Sequence, residues 1–246
     1  MTDKRKVLLT GAAGMVGSIL RSHWGDRYAL RLADIRPLQD LAGHEEYTPI
    51  DIAQYDQMLE ACAGIDTVVH LAADPNPNAE FYSTLLPLNI TGAYNAFHAA
   101  HQAGCRRLVF ASSGQAILGY NTQEQESAGW DVPIFPQNVY GATKCWGEAL
   151  ARVYSDQHQL SCICVRLGSP VFAQDGDWDP NKVYAQISPR DTAQLFGCCV
   201  DVQDVDFAIV HGISRHQRCW MDLEISRKVV GYEPRDGTAF PRTSSQ

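Results

Sequence analysis

Tyr140 and Lys144 stand four residues apart in the run Tyr140-Gly141-Ala142-Thr143-Lys144. On a helix that spacing puts both side chains on one face, so a phenol and an ammonium can point into the same cleft. A free phenol titrates near pH ~10 and is a poor base at neutrality. Nearby positive charge favours the phenolate and brings it toward working pH. Ser112-Ser113 closes the apolar run that contains Leu108-Val109-Phe110. A hydroxyl at the C-terminal end of such a strand can hold a substrate oxygen and steady the phenolate, because active sites of parallel sheets lie at that end. The chemistry these residues suit is proton transfer at a carbon-bound hydroxyl.

A second group binds phosphate. Val7-Leu8-Leu9 runs straight into Thr10-Gly11-Ala12-Ala13-Gly14-Met15-Val16-Gly17. Gly11 allows a tight turn off the strand, Gly14 lets backbone approach a pyrophosphate, and Gly17 lets the next helix pack close. The helix start, with Met15 and Val16 in its first turn, offers free N–H groups to an anion. Asp34 ends the next strand, twenty-three residues past Gly11. An acidic residue there accepts the adenosine ribose hydroxyls and repels a 2′-phosphate, so the expected cofactor is NAD rather than NADP. Arg36 reads either as a phosphate partner or as a solvated surface charge. Asp51-Ile52 could flank the adenine, or Asp51 could simply cap a helix. With hydride chemistry carried by NAD, the phenol and ammonium would meet the positive nicotinamide ring.

These groups need a particular scaffold. Short apolar runs at 7–9, 29–34, 47–50, 67–71, 108–110 and 161–167 alternate with helical patterns at 14–24, 54–62, 88–103 and 139–158. That alternation predicts an α/β fold, a Rossmann doubly wound parallel sheet. The sixth strand has the pattern of a buried edge. Beyond Gly168 the chain is richer in loops, with helices expected at 191–199 and 221–230 and a strand at 207–210. Residues 1–167 are thus expected to bind NAD, 168–235 to form a small C-terminal substrate lobe, and 236–246 to be a mobile tail.

Composition limits the partners. The 246 residues carry 20 Lys+Arg against 28 Asp+Glu, a net charge of −8. Nucleic acid and anionic membranes call for a basic face, so neither is expected as a partner. No apolar run approaches the roughly 20 residues of a membrane span. The basic start from Met1 to Lys6 leads into only three apolar residues, too few for a secretory signal, which predicts a cytoplasmic protein. The eight cysteines form no Cys-x-x-Cys pair and read as small buried hydrophobes. His98 and His101 read as helix-packing residues rather than metal ligands, the acidic stretch Asp175 to Asp179 as a solvated loop, and His70 as packed beside the cofactor. No metal is expected.

Taken together, the chain resembles the extended short-chain dehydrogenase/reductases, within the NAD-dependent epimerase/dehydratase family, over nearly its whole length. The resemblance rests on the glycine run, Asp51-Ile52, His70-Leu71-Ala72-Ala73, Asn89 with Gly92, Phe110-Ala111-Ser112-Ser113 and the Tyr140 to Lys144 run. It implies that Ser113, Tyr140 and Lys144 are catalytic, and it extends the cofactor contacts to Leu71, Ala72, Ala73, Asn89 and Ser112. Asp74, Ser113, Gln115, Ser169 and Lys182 are the corresponding candidates for substrate contact. Within the family, Arg166-Leu167-Gly168-Ser169 and Trp220-Met221-Asp222-Leu223-Glu224 are similar to uronate dehydrogenases and related aldose dehydrogenases. Those enzymes oxidise an anomeric hydroxyl to a lactone. The chain departs from them at Gly114-Gln115, where they carry Asn-His, and near Asn181-Lys182, where they carry a carboxylate-binding arginine. The alternatives are a nucleotide-sugar epimerase, for which the C-terminal part is short, and a non-catalytic dinucleotide sensor, which would generally lack the tyrosine–lysine pair. A homo-oligomer is expected from the same resemblance, with Cys145 and Trp146 as core or interface residues.

Overall fold

The computed structural model describes residues 4–121, 127–170, 185–215 and 219–237. Strands β1 (Lys6–Thr10), β2 (Ala29–Asp34), β3 (Glu45–Pro49), β4 (Thr67–His70), β5 (Arg107–Ser113), β6 (Ser161–Leu167) and β9 (Phe207–Gly212) form one parallel sheet in the order β3-β2-β1-β4-β5-β6-β9. Two-residue strands β7 (Ser169–Pro170) and β8 (Gln186–Ile187) pair separately. Strand order reverses between β1 and β4, which opens a crevice at the carboxyl ends of those strands.

Helices cover both faces. Helix α1 (Met15–Trp24), α5 (Pro189–Asp201) and α6 (Glu224–Val230) pack on one, around Leu20, Trp24, Ile163, Val165, Leu195 and Phe196. Helix α2 (Tyr55–Cys62), α3 (Gly92–Gln102) and α4 (Val139–His158) pack on the other, around Leu8, Val68, Phe97, Leu108, Phe110 and Tyr154. Strands buried on both faces read as continuous apolar runs, and Val7 to Leu9 and Cys162 to Val165 do so. Cys62, Cys105, Cys145, Cys162, Cys164 and Cys199 are all buried within these layers.

Three expectations need correction. Strand β6 lies inside the sheet, because β9 pairs along it from Cys162 to Leu167 and takes the edge. The helical segment expected from Leu88 begins at Phe81, as wide π turns running to Thr91 that continue into α3. Pro87 lies inside these wide turns, which accommodate its missing N–H. The last helix starts at Glu224 rather than Met221, since Met221 instead bridges to Ala128.

The C-terminal part is fastened to the sheet end. Ser188 caps α5 by accepting the Asp191 N–H at 3.1 Å, with Pro189 in the first turn. Buried Asp191 accepts the Ser214 hydroxyl at 2.5 Å and the backbone N–H groups of Arg235 and Asp236 at 2.7 and 3.1 Å. Asp236 also accepts the Ser188 hydroxyl at 2.6 Å, so the first residue assigned to the tail is held in place. Residues 238–246 lie outside the described residues, as do Asp175 to Asp179.

Candidate active site

The glycine turn is shaped by close contacts. Gly11 has φ +70°, and a Cβ there would lie 2.8 Å from the Ala72 nitrogen. A Cβ on Gly17 would lie 2.5 Å from the Gly11 carbonyl, so only glycine lets α1 press against the turn. Thr10 joins β1 to β4 behind the turn: its hydroxyl shares a hydrogen bond with His70 Nδ1 at 2.9 Å and accepts the Leu71 N–H at 3.2 Å. His70 is buried, and burial pulls its pKa down to about 3, so the imidazole is neutral.

In front of the turn lies a cavity of about 630 Å³, within the usual range for ligand clefts. It is lined by Gly11, Gly14, Met15, Val16 and Gly17, by Asp34, Asp51 and Ile52, by Leu71, Ala72 and Ala73, and by Ser112, Ser113, Tyr140 and Lys144. Asp34 is pinned by the N–H groups of Ala13 and Arg36, both at 2.9 Å. The Arg36 side chain borders the cavity and is 62% exposed, with Nε 3.4 Å from Asp34. Asp51 lines the cavity and also accepts the Ala53 N–H at 2.9 Å, as a turn cap does. A cleft whose wall carries both the glycine cradle and a fixed carboxylate fits a dinucleotide.

At the other end, α4 delivers Tyr140 and Lys144. Asn138 caps it by accepting the Gly141 N–H at 2.8 Å. The Lys144 ammonium donates to the Ala111 carbonyl at 2.9 Å and lies 5.6 Å from the Tyr140 ring centroid and 5.2 Å from that of Phe110. Burial pulls Lys144 down to about 8. Tyr140 behaves differently from expectation. Burial raises its pKa, a hydrogen bond with Ser113 opposes the rise, and the Asp74 carboxylate adds to it. The chain alone therefore does not acidify the phenol, because desolvation outweighs the Ser113 hydrogen bond.

Several expected residues serve the site from behind. Ser112 lines the cavity, yet its hydroxyl donates to Glu148 Oε1 at 2.6 Å. Glu148 is gripped by Arg166 through two bonds of 2.9 Å, and both side chains are buried. Asn89 does not line the cavity: its amide accepts the Asp74 N–H at 2.8 Å and donates to the Asp74 carbonyl at 3.0 Å. Gln115 is likewise set back, with its side-chain oxygen accepting from Asn138 at 2.7 Å. Ser169 is exposed and donates its N–H to Ala185 at 2.8 Å. Lys182 lies outside the described residues. His98 packs among Tyr55, Tyr94 and Tyr154, and His101 stacks on His158 at 4.4 Å. Cys145 is buried, and Trp146 is partly exposed with its indole donating to Ile90.

The sequence reading missed Glu148, as well as Pro75, Leu88, Leu167, Gly168 and Pro170 on the cavity wall. Glu148 had a signal: it continues the four-residue spacing of Tyr140 and Lys144, opposite an arginine in an otherwise apolar strand.

Residues 7–190 match the model of the family described as "NAD dependent epimerase/dehydratase family". The chain belongs to that family. Among its members it is 35% identical over 254 residues to NAD-dependent glucose-6-phosphate dehydrogenase of Haloferax volcanii, covering 95% of this chain and 94% of the relative. It is 32% identical over 239 residues to uronate dehydrogenase of Pseudomonas putida, covering 96% and 86%. A solved family structure, a mutant of uronate dehydrogenase from Agrobacterium tumefaciens complexed with NAD, superposes with a TM-score of 0.84 at 30% identity, over 98% of this chain and 92% of that one. The protein is an NAD-binding oxidoreductase of the uronate dehydrogenase-like group within the family. No helix among the described residues is long and apolar enough to cross a membrane.

Proposed function

We propose that this enzyme oxidises the anomeric hydroxyl of a small free sugar or sugar acid to the lactone. The observation that carries the reading is that Ser113, Tyr140 and Lys144 line the same cavity as the glycine cradle. When bound, NAD would supply the hydride acceptor. Gly14 and the first turn of α1 would hold the pyrophosphate, and Asp34 would hold the adenosine ribose. Tyr140 takes the proton from the sugar hydroxyl. Ser113 hydrogen-bonds the reacting oxygen and, through its bond to Tyr140, lowers the phenol's pKa. Lys144, held by Ala111, keeps its ammonium beside the phenol and is placed to hold the nicotinamide ribose. Asn89, Gln115 and Asn138 keep the surrounding loops in register. The similarity to a glucose-6-phosphate dehydrogenase and to uronate dehydrogenases supports a monosaccharide substrate.

Helix α4 also leaves Val139, Ala142, Trp146, Ala149 and Val153 exposed along one stripe. That apolar stripe supports a homo-oligomer.

The test is NADH absorbance with aldoses, uronates and sugar phosphates, run against NADP. Net NADH with at least one sugar is expected. Bound NAD with no net NADH would point to an epimerase instead. Tyr140→Phe should lower kcat/KM by about 10²–10⁴-fold, and near wild-type turnover would sink the mechanism.

A further inference from the structure

The loop after β2 carries a cation over the cofactor cleft. Asp34, Ile35 and Arg36 all line the cavity. Tyr47 of β3 fixes the loop, its hydroxyl donating to the carbonyls of Asp34 and Arg36 at 3.1 and 3.3 Å. The Asp34 side chain is 7% exposed, and the chain itself supplies donors to both of its oxygens. Oδ2 accepts the Ala13 N–H at 2.9 Å. Oδ1 accepts the Arg36 backbone N–H at 2.9 Å and the Arg36 Nε–H at 3.4 Å. These donors balance the carboxylate's charge before a cofactor arrives.

Arg36 is only partly used by this pair. Nε alone faces Asp34, and among the described residues neither Nη nitrogen has a hydrogen-bond partner. Nη2 lies 3.9 Å from where a Cβ on Gly14 would stand. The guanidinium thus reaches from the ribose acid to the glycine turn. In a sheet of this kind the adenosine ribose sits at that acid, and the pyrophosphate sits on the turn. A guanidinium with its Nη groups free at that point suits a phosphate, which it meets through parallel N–H bonds.

We propose that Arg36 lets this NAD site also take NADP, by meeting the 2′-phosphate of the adenosine ribose with its free Nη groups. Asp34 still serves the ribose of NAD, because a carboxylate oxygen accepts more than one hydrogen bond. The inference concerns the cofactor end of the cleft and stands apart from the sugar reading.

The experiment titrates the full chain with NADH and with NADPH, without sugar, and follows nicotinamide fluorescence. Wild type should bind NADPH within about tenfold of NADH. Arg36→Gln should weaken NADPH binding by roughly 10–150-fold, the span for a lost bond to a charged group. It should weaken NADH by no more than about threefold, since an exposed ion pair is worth little and the residue's backbone N–H stays on Asp34. Salt gives a second readout, which an arginine that only braces the loop would not move. Between about 0.05 and 0.5 M, wild type should lose affinity for NADPH faster than for NADH, and Arg36→Gln should not. Wild-type binding of NADPH more than about tenfold weaker than that of NADH would overturn the proposal. Equal losses of both dinucleotides in Arg36→Gln, or equal salt slopes in wild type, would also overturn it and move the arginine's role to the adenine or pyrophosphate that both share. Failure of every sugar to yield NADH would overturn the dehydrogenase reading and leave these binding outcomes as they stand.

Discussion

Two buried cations, Arg166 on β6 and Lys144 on α4, are handled in opposite ways. Arg166 on β6 meets Glu148 in a two-bond pair, with a third bond to the Trp130 carbonyl at 3.1 Å. Lys144, one helical turn before Glu148, has among the described residues only the Ala111 carbonyl and two ring neighbours. Both are almost completely buried. Arginine keeps its proton at any ordinary pH, and its planar fork matches a carboxylate. An ammonium denied such a partner gives up its proton more readily, and burial holds Lys144 near 8. The paired cation joins α4 to the sheet. The other, without a carboxylate partner among the described residues, lines the cavity beside Tyr140. The difference separates a paired buried charge from one that burial alone perturbs.

The sharpest way to break this contrast is Arg166→Met. It strands Glu148 without its partner and should cost about 3–5 kcal/mol in urea unfolding. A loss below about 1 kcal/mol would show that the pair is not holding α4. Lys144→Met should act in the opposite sense. Removing an unpaired buried charge should stabilise the cofactor-free chain by up to ~3 kcal/mol at neutral pH while turnover collapses. The pH dependence follows from the same burial. Between about 8, the folded value, and 10.5, the ordinary value, the unfolded chain binds the proton more tightly. The penalty is therefore complete below 8 and fades as pH rises toward 10.5, so wild type gains on the variant across that window. Equal stability of the two at all pH values would show that Lys144 carries no such penalty. The smallest effect belongs to Ser112→Ala, which takes one donor from Glu148 and leaves the arginine in place. About 1–3 kcal/mol of stability should be lost. If the kcat/KM profile keeps its pH limbs, the serine supports the pair and not the proton transfer.

The cofactor half was largely legible. Gly11, Gly14 and Gly17 at fixed spacing after an apolar strand dictate a turn and a helix start, because only residues without a Cβ fit there. Asp34 follows from the strand that must come next. The substrate half was harder to read. Asn89 and Gln115 have types suited to ligand contact, and nothing in their sequence neighbourhood says that their amides turn away to clamp Asp74 and Asn138. Asp74 itself stands in a Pro- and Asn-rich loop, where sequence carries no period from which direction can be read.

The sequence by itself determined which groups were available: a glycine turn at the start of a helix, a carboxylate ending the second strand, and a phenol and ammonium on one helix face. Those rest on local rules of backbone space and helical period. Tertiary structure decided how the charges are balanced. Burial raised Tyr140 and lowered Lys144, and β6 brought Arg166 to Glu148. Desolvation and long-range pairing depend on what the whole fold places around a group, and no single stretch of chain contains that information.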